Sequence, residues 1–261
     1  MSDLDILNSI REIIGEKNAS ADEVMSAHTT FRVGGPADYF ASPSDADQVA
    51  GLIELCRKCE IPYFVLGNGS NLLVSDAGYR GMIINIMDNM NGITVDGDVI
   101  TAQAGAKLVR VSRLARDNSL TGLEFASGIP GTIGGAVYMN AGAYGGEMKD
   151  ILPKVTVLTP DGTVQTLSVE ELELSYRHSI IPEKGYLVIS AVLKLQPGNA
   201  DEIQSIMDDL KEKRVSKQPL EYPSAGSTFK RPEGYFAGKL IQDAGLRGFR
   251  VGGAQVSEKH C

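Results

Sequence analysis

The chain has 261 residues, 43% of them hydrophobic and 22% charged, enough for one large or two modest domains with a real apolar core. Its net charge of −8, from 33 acidic against 25 basic side chains, argues against a nucleic-acid binder, which would present a basic face. The same balance does not exclude an anionic small molecule held by a local cluster of lysines and arginines.

Residues 3–16 put Leu4, Leu7, Ile10, Ile13 and Ile14 on one helical face, with Asp3 at the start and Gly15 at the end. This acidic, amphipathic N-terminus lacks a basic segment followed by an apolar run, so it does not read as a signal peptide. No stretch reaches the roughly 18 uninterrupted apolar residues of a membrane span. Residues 29–36 read as an extended run closed by a Gly-Gly-Pro turn, 45–59 as a helix and 62–66 as a short buried strand. Cys56 and Cys59 make a C-x-x-C on that helix, but no second pair for zinc accompanies them. They read as reduced thiols, and three cysteines with no visible leader imply a reducing cytoplasm. Further strands are expected at 72–74 and 82–86, and a hairpin over 93–102 turns at Asp96 and Gly97. A helix over 107–118 follows, then a hairpin over 154–167 and a strand over 187–195. After Pro197 the character changes to a charged helix over 201–215, with Ile203, Ile206, Met207 and Leu210 expected to face inward. This divides the chain into an N-terminal helix (1–25), a main domain (26–198) and a smaller one (199–261). Hairpins mixed with isolated helices indicate an α+β class. The three histidines, His28, His178 and His260, are scattered, and no metal-ligand spacing appears.

Two segments carry the chemistry. Eight glycines fall between Gly122 and Gly146, a density that no regular helix or strand favours because each glycine costs conformational entropy on ordering. Such a run brings backbone amides close to a ligand, and a row of N–H groups binds phosphate or a ring edge. Loop flexibility is the alternative, but Ile129, Ile133, Val137 and Met139 are spaced like buried residues. The second segment, Gly67-Asn68-Gly69-Ser70-Asn71, follows a strand as a phosphate loop does. It is neither a G-x-G-x-x-G, because position 72 is Leu, nor a Walker A loop, which needs Gly-Lys-Ser/Thr.

Gly67–Asn71 together with Ala126-Ser127-Gly128-Ile129-Pro130-Gly131-Thr132-Ile133-Gly134-Gly135-Ala136 resembles the FAD-binding domain of the vanillyl-alcohol-oxidase/PCMH flavoprotein fold. Three further segments, 29–35, 175–179 and 223–230, with 252–260 at the end, resemble the UDP-N-acetylenolpyruvoylglucosamine reductase family of peptidoglycan precursor synthesis. The resemblance covers nearly the whole chain from about residue 25 and implies a PCMH-type domain followed by a smaller α+β substrate domain. It also implies non-covalent FAD, held by Gly67, Asn68, Gly69, Ser70, Asn71, Leu72, Ala126, Ser127, Gly128, Ile129, Gly131, Thr132, Gly134 and Gly135. In that family NADPH reduces FAD, hydride passes from flavin N5 to C3 of an enolpyruvyl ether on a UDP-sugar, and a proton is delivered to C2. The motifs place Arg177 at the family's arginine that stabilises the enolate-like charge, and Ser227 at its proton donor. A structural salt bridge for Arg177 and a plain loop role for Ser227 are the readings without the motifs.

Lys217, Lys230, Arg231, Lys239 and Arg247 make the last segment locally basic, suited to the pyrophosphate of a UDP-sugar, with a solvated face as the alternative. Asn140 and Tyr144 are expected to contact substrate or flavin. The short interval between Ser179 and Ser227 resembles the family's second type, which lacks an inserted loop with a substrate-clamping tyrosine. Family members continue past the 252–260 motif with a segment that supplies a glutamate. From the stop at Cys261 the resemblance implies exposed apolar surface in the last domain and weak protonation at C2. A flavin- or UDP-sugar-binding remnant is therefore an alternative to the reductase. A flavin-linked oxidase is a further alternative, weakened because no His or Cys occurs in 67–74 or 120–146 to anchor flavin covalently.

Overall fold

Ser2 and Asp5 cap the first helix reciprocally, which fixes the start of α1 (Asp3–Ile14) in a computed structural model that describes residues 2–259 and 261. His260, in the last of the sequence motifs, lies outside the described residues. Ile6, Ile10 and Ile14 form the buried face of α1, with Leu7 and Ile13 packed against it, whereas Leu4, expected on that face, is 64% exposed and Ile6 takes the inward place instead. That face packs with Leu52 and Cys56 of α2 (Ala46–Lys58) and with Tyr39, Met82 and Ile84 into one apolar cluster. Each fully buried Leu or Ile there contributes about 1.5–3 kcal/mol.

The cluster backs a four-stranded sheet made of β1 (Ala19–Val24), β2 (Pro36–Ala41), β3 (Tyr63–Leu66) and β4 (Tyr79–Asn85), in the order β1-β2-β4-β3. β1 is antiparallel to β2, whereas β2, β4 and β3 run parallel, with α2 as the crossover from β2 to β3. Two strands were not foreseen and one expected strand is absent. Residues 19–24 and 36–41 form strands that their mixed polar composition does not announce. The apolar run at 72–74 is no strand: Leu73 is 74% exposed, while Leu72 and Val74 pack beside Met25, Phe40 and Leu66. With no strand alongside, that run is held by side-chain burial and by a nearby backbone bond from Gly35 N to Ser75 O (2.8 Å).

The second sheet is wholly antiparallel. β5 (Ile93–Asp96) and β6 (Val99–Gln103) make the expected hairpin, and α3 (Leu108–Asp117) and β7 (Leu120–Thr121) follow. The glycine run then yields α4 (Ile133–Tyr138) and a tiny hairpin of β8 (Gly142–Ala143) and β9 (Gly146–Glu147). After it come β10 (Lys154–Leu158), β11 (Val164–Ser168), α5 (Ile180–Lys184) and β12 (Leu187–Lys194), giving the order β11-β10-β12-β6-β5. The largest core cluster lies on this sheet, where Ile133 and Val137 of α4 and Leu108 and Val111 of α3 meet Ile100, Val155, Val157 and Leu193.

β13 (Gln196–Pro197) pairs with β7 and leads into α6 (Ala200–Lys217), capped by the Asn199 side chain. Ile203 and Met207 of α6 are buried, but Ile206 is 46% exposed. The neighbours of α6, around α3 and the 124–126 turn, cover a narrower stripe than the predicted face. α7 (Ala237–Asp243) and the hairpin of β14 (Arg250–Val251) and β15 (Ala254–Gln255) complete the chain. This last part exposes Tyr222, Phe229, Tyr235, Phe236, Phe249 and Val251. Among the described residues no helix is long and apolar enough to cross a membrane, and no group of three or more His, Cys, Asp or Glu is placed to hold a metal ion.

Candidate functional site

The loop after β3 enters at the seam between the two sheets. Gly69 adopts φ +58°, and a Cβ there would sit 2.1 Å from the His28 carbonyl oxygen, so only glycine lets the loop lie this close to residues 28–30. Among the described residues, the backbone N–H groups of Asn68, Gly69, Ser70 and Asn71 donate to no protein acceptor. Gly69 is buried, Asn68 and Ser70 are half-buried and Asn71 is exposed, so this row of amides is free to donate to a ligand. Leu72, by contrast, packs into the apolar cluster as the anchor at the loop's far end.

The glycine run forms the facing wall. The Asn68 side chain donates to the Pro130 carbonyl (2.7 Å), and a Cβ on Gly67 would lie 2.5 Å from Thr132 Oγ1, so the two walls touch at their base. Thr132 caps α4 through Gly135 N (3.4 Å). Bonds from Ile129 N to Ala126 O and from Ser127 N to Glu124 O wind residues 124–129 into a tight turn with Ala126 buried. Among the described residues, the N–H groups of Gly128, within that turn, and Gly131, just after it, donate to no protein acceptor. Other glycines of the run serve packing. Gly134 N bonds Ala104 O (2.7 Å), and its missing Cβ would fall 3.0 Å from that of Ala104. Gly146 is closed off in the same way by the Phe125 ring.

Arg214 was not foreseen. From the last turn of α6 it reaches Gly128, where a Cβ would meet its Nη1 at 2.7 Å, and its Nε donates to Gln218 (3.1 Å). Burial pushes its pKa down, and no carboxylate pairs with it among the described residues. An unpaired, half-buried guanidinium beside open glycine amides attracts an anion. Its sequence signal was the spacing to Lys217, three residues on and so on a neighbouring part of the same helical face.

The other side is built from the turn 175–178, closed by Ser175 N to His178 O and His178 N to Ser175 O. Arg177 occupies left-handed backbone (φ +55°), donates from Nη2 to Gly142 O (3.2 Å) and lies over the Tyr176 ring at 5.2 Å. No carboxylate pairs with it among the described residues, so it is not an internal salt bridge. Asn140 turns inward: its Nδ2 donates to Glu147 (2.7 Å) and to Ser175 O (3.1 Å), while its Oδ1 accepts from Lys149 N (3.0 Å). The bond to Ser175 O ties the glycine run to the Arg177 turn, and the other two fix Asn140 to the segment 147–149. Tyr144 is 52% exposed at the β8–β9 tip, with φ +53°.

Ser227 lies between these two regions. Ser224 N bonds Thr30 O (3.1 Å), a Cβ on Gly226 would stand 3.6 Å from Ser70 O, and Arg231 N donates to Tyr176 Oη (3.2 Å). The segment 224–231 therefore spans from the loop at 67–71 to the turn of Arg177. Ser227 and Lys230 are exposed on it, and Arg231 stacks on Phe236 at 3.9 Å. Lys217 and Lys230 have no ion-pair partner among the described residues, whereas Lys239 is paired with Asp243.

Comparison with known proteins matches residues 37–168 to the family model of the FAD binding domain, and residues 218–261 to that of the UDP-N-acetylenolpyruvoylglucosamine reductase C-terminal domain. The UDP-N-acetylenolpyruvoylglucosamine reductase of Agathobacter rectalis is 58% identical, over 98% of this chain and 85% of that protein. The crystal structure of the reductase of the same name from Thermus caldophilus superposes with TM-score 0.78 at 39% identity, covering 91% of this chain and 84% of that one. A 4-ethylphenol oxidase from Gulosibacter chungangensis shares the fold alone, with TM-score 0.57 at 17% identity.

Proposed function

Since the chain belongs to the UDP-N-acetylenolpyruvoylglucosamine reductase family, we propose that it reduces the enolpyruvyl ether of a UDP-N-acetylglucosamine derivative to UDP-N-acetylmuramate, with NADPH as reductant and non-covalent FAD as cofactor. The single observation that carries the cofactor is the row of open amides at 68–71 facing the glycine wall. When bound, FAD relays hydride between the nicotinamide and the enol ether. The residues present fit it: the amides at 68–71, Gly128 and Gly131, with the Arg214 guanidinium beside them, are donors suited to a pyrophosphate.

Reduction at C3 of the enolpyruvyl group leaves negative charge at C2 and on the adjoining carboxylate. The Arg177 fork matches a carboxylate through two parallel hydrogen bonds, and its position on a constrained turn limits the motion it must lose to do so. Ser227 delivers the proton to C2. A hydroxyl is a weak acid, and the unpaired Lys230 on the same segment and the Arg177 guanidinium stabilise the alkoxide it becomes. Lys217, Lys230 and Arg231 are assigned to the pyrophosphate of the UDP-sugar, and Tyr144, exposed at the glycine-run tip, to the sugar. Asn140 is assigned to positioning, since its side chain is used within the protein. The reading of the chain as a binding remnant is not favoured, because family matches occupy both halves of the chain and relatives align over nearly all of it.

The test is FAD titration followed by NADPH oxidation at 340 nm, with and without the enolpyruvyl sugar nucleotide. A yellow protein that oxidises NADPH in a substrate-dependent manner is expected, and Ser227→Ala should keep the flavin while losing about a hundredfold or more in turnover. Absence of flavin binding would overturn the reading.

A further inference from the structure

The segment 29–35, a sequence motif to which the chemistry above gives no role, sits where the proposed flavin loop and the Ser227 segment meet. It is held rigidly on its own side. Thr29, 6% exposed, closes a turn by donating from Oγ1 to Val33 O (3.0 Å), with Arg32 N returning to Thr29 O (3.1 Å). Gly34 and Gly35 are bonded back to Ser26 and Met25, and Gly35 N also reaches Ser75 O (2.8 Å). The turn therefore presents Thr30 as a fixed point.

From that point Thr30 bonds in two directions. Its N–H donates to Gly69 O (3.2 Å), in the centre of the loop with the open amides. Its carbonyl accepts from Ser224 N (3.1 Å), and its hydroxyl donates to Ser224 O (2.5 Å). Ser224 passes the constraint on, because its own Oγ accepts from Gly226 N (3.1 Å), the residue before Ser227. Thr30 and Ser224 are 194 residues apart in the chain, and Ser227 itself is exposed, with no core packing to fix it.

Resting on the function proposed above, we infer that Thr30 is a positioning residue: its hydroxyl and backbone clasp the proton-donor segment to the flavin loop, so that the height of Ser227 over the bound cofactor is set by the N-terminal part of the chain. A threonine suits this role. Its branched Cβ restricts the hydroxyl to few rotamers, and a hydrogen bond held within a rigid turn fixes geometry at little entropic cost. A clasp of this kind acts on proton delivery and leaves flavin binding alone, since the bond to Gly69 is made by the backbone.

The test compares Thr30→Val, which keeps the shape and loses the hydroxyl, with Thr30→Ser, which keeps it. Hydrogen–deuterium exchange of the peptide spanning 219–229 should rise about tenfold in Thr30→Val, while the peptide spanning 63–72 stays at the wild-type rate. FAD affinity and the rate of flavin reduction by NADPH should remain within twofold. Flavin reoxidation by the enolpyruvyl sugar nucleotide should slow about tenfold, and Thr30→Ser should restore both exchange and reoxidation. Unchanged exchange in 219–229 would overturn the clasp, as would a Thr30→Val variant that loses flavin affinity in parallel with turnover, the mark of general structural damage. A wild-type chain that binds no flavin would overturn the proposed function instead, and the exchange comparison would still decide whether the clasp exists.

Discussion

Replacing Gly69 by alanine isolates what the loop amides do. The new methyl group would lie 2.1 Å from His28 O, whereas real Cβ contacts essentially never fall below 3.0 Å, and the atom it meets is backbone. The loop or the 28–30 turn must therefore give way by about 1 Å, enough to break hydrogen bonds whose useful range is a few tenths of an ångström. Loss of two of the four amide contacts to a pyrophosphate, at about 1.5 kcal/mol each for a charged acceptor, amounts to about 3 kcal/mol. FAD should then bind roughly a hundredfold more weakly. Left-handed backbone adds about 1–2 kcal/mol of instability for any residue with a Cβ. Gly97, at the β5–β6 turn, separates the two effects: its φ is +56°, almost that of Gly69, but a Cβ there meets nothing within 4 Å. Gly97→Ala should lose the backbone part of the stability and keep wild-type FAD affinity. Both variants would be read by flavin fluorescence titration of the apoprotein and by urea unfolding. A Gly69→Ala chain that binds FAD within threefold of wild type refutes the assignment of the loop, and equal weakening in Gly97→Ala refutes the claim that the effect is local.

Cys56 is 1% exposed and its thiol is pushed up to about 12 by burial, with the neighbouring Cys59 adding to the effect. Alkylation with iodoacetamide at about pH 8 should be on the order of a thousandfold slower at Cys56 than at a free thiol, and unfolding should abolish the difference; labelling within tenfold of free glutathione would count against it. Glu23 accepts a hydrogen bond from the His28 ring (2.8 Å), which holds its carboxyl below the usual range, with Ser20 adding to it and burial opposing. A depressed folded-state pKa stabilises above the unfolded value of 4.5 and loses that contribution as pH falls through the folded value. The urea midpoint of the wild type should accordingly converge on that of Glu23→Gln below about pH 4.5, and parallel curves across the acid range would exclude this linkage.

The parts of this molecule that were legible in the sequence are those whose cause is local. The capped α1, the hairpin at Gly97 and the Gly67–Asn71 turn each carry their own chemistry within a few residues. The strand at 19–24 shows no comparable signal, because it is held by pairing with 36–41. The run at 72–74 misled for the converse reason: its composition suits a strand, but no neighbour offers a ladder. Ile206 was placed inward by helical periodicity alone, and periodicity cannot say how wide the covering surface is. At the candidate site, Arg177 and Ser227 are assigned by motif resemblance, and the roles proposed for them rest on it. Arg214 and Thr30 were passed over because their meaning lies in partners 86 and 194 residues away, Gly128 and Ser224.

Among the described residues, eight other than glycine hold positive φ, and four of them, Arg32, Asn140, Tyr144 and Arg177, lie in or beside the candidate site. Each such backbone costs on the order of 1 kcal/mol or more, so half of these strained positions are concentrated at the candidate site. That has a consequence for anyone who selects this chain for heat resistance. Glycine at Arg177 or Tyr144 relieves the backbone and is a change that a thermal screen rewards, yet it removes the guanidinium or the ring on which the roles proposed above depend. On those proposed roles, stability and chemistry pull in opposite directions at the same few codons, and a library screened by melting temperature alone is expected to yield sturdier proteins with weakened turnover.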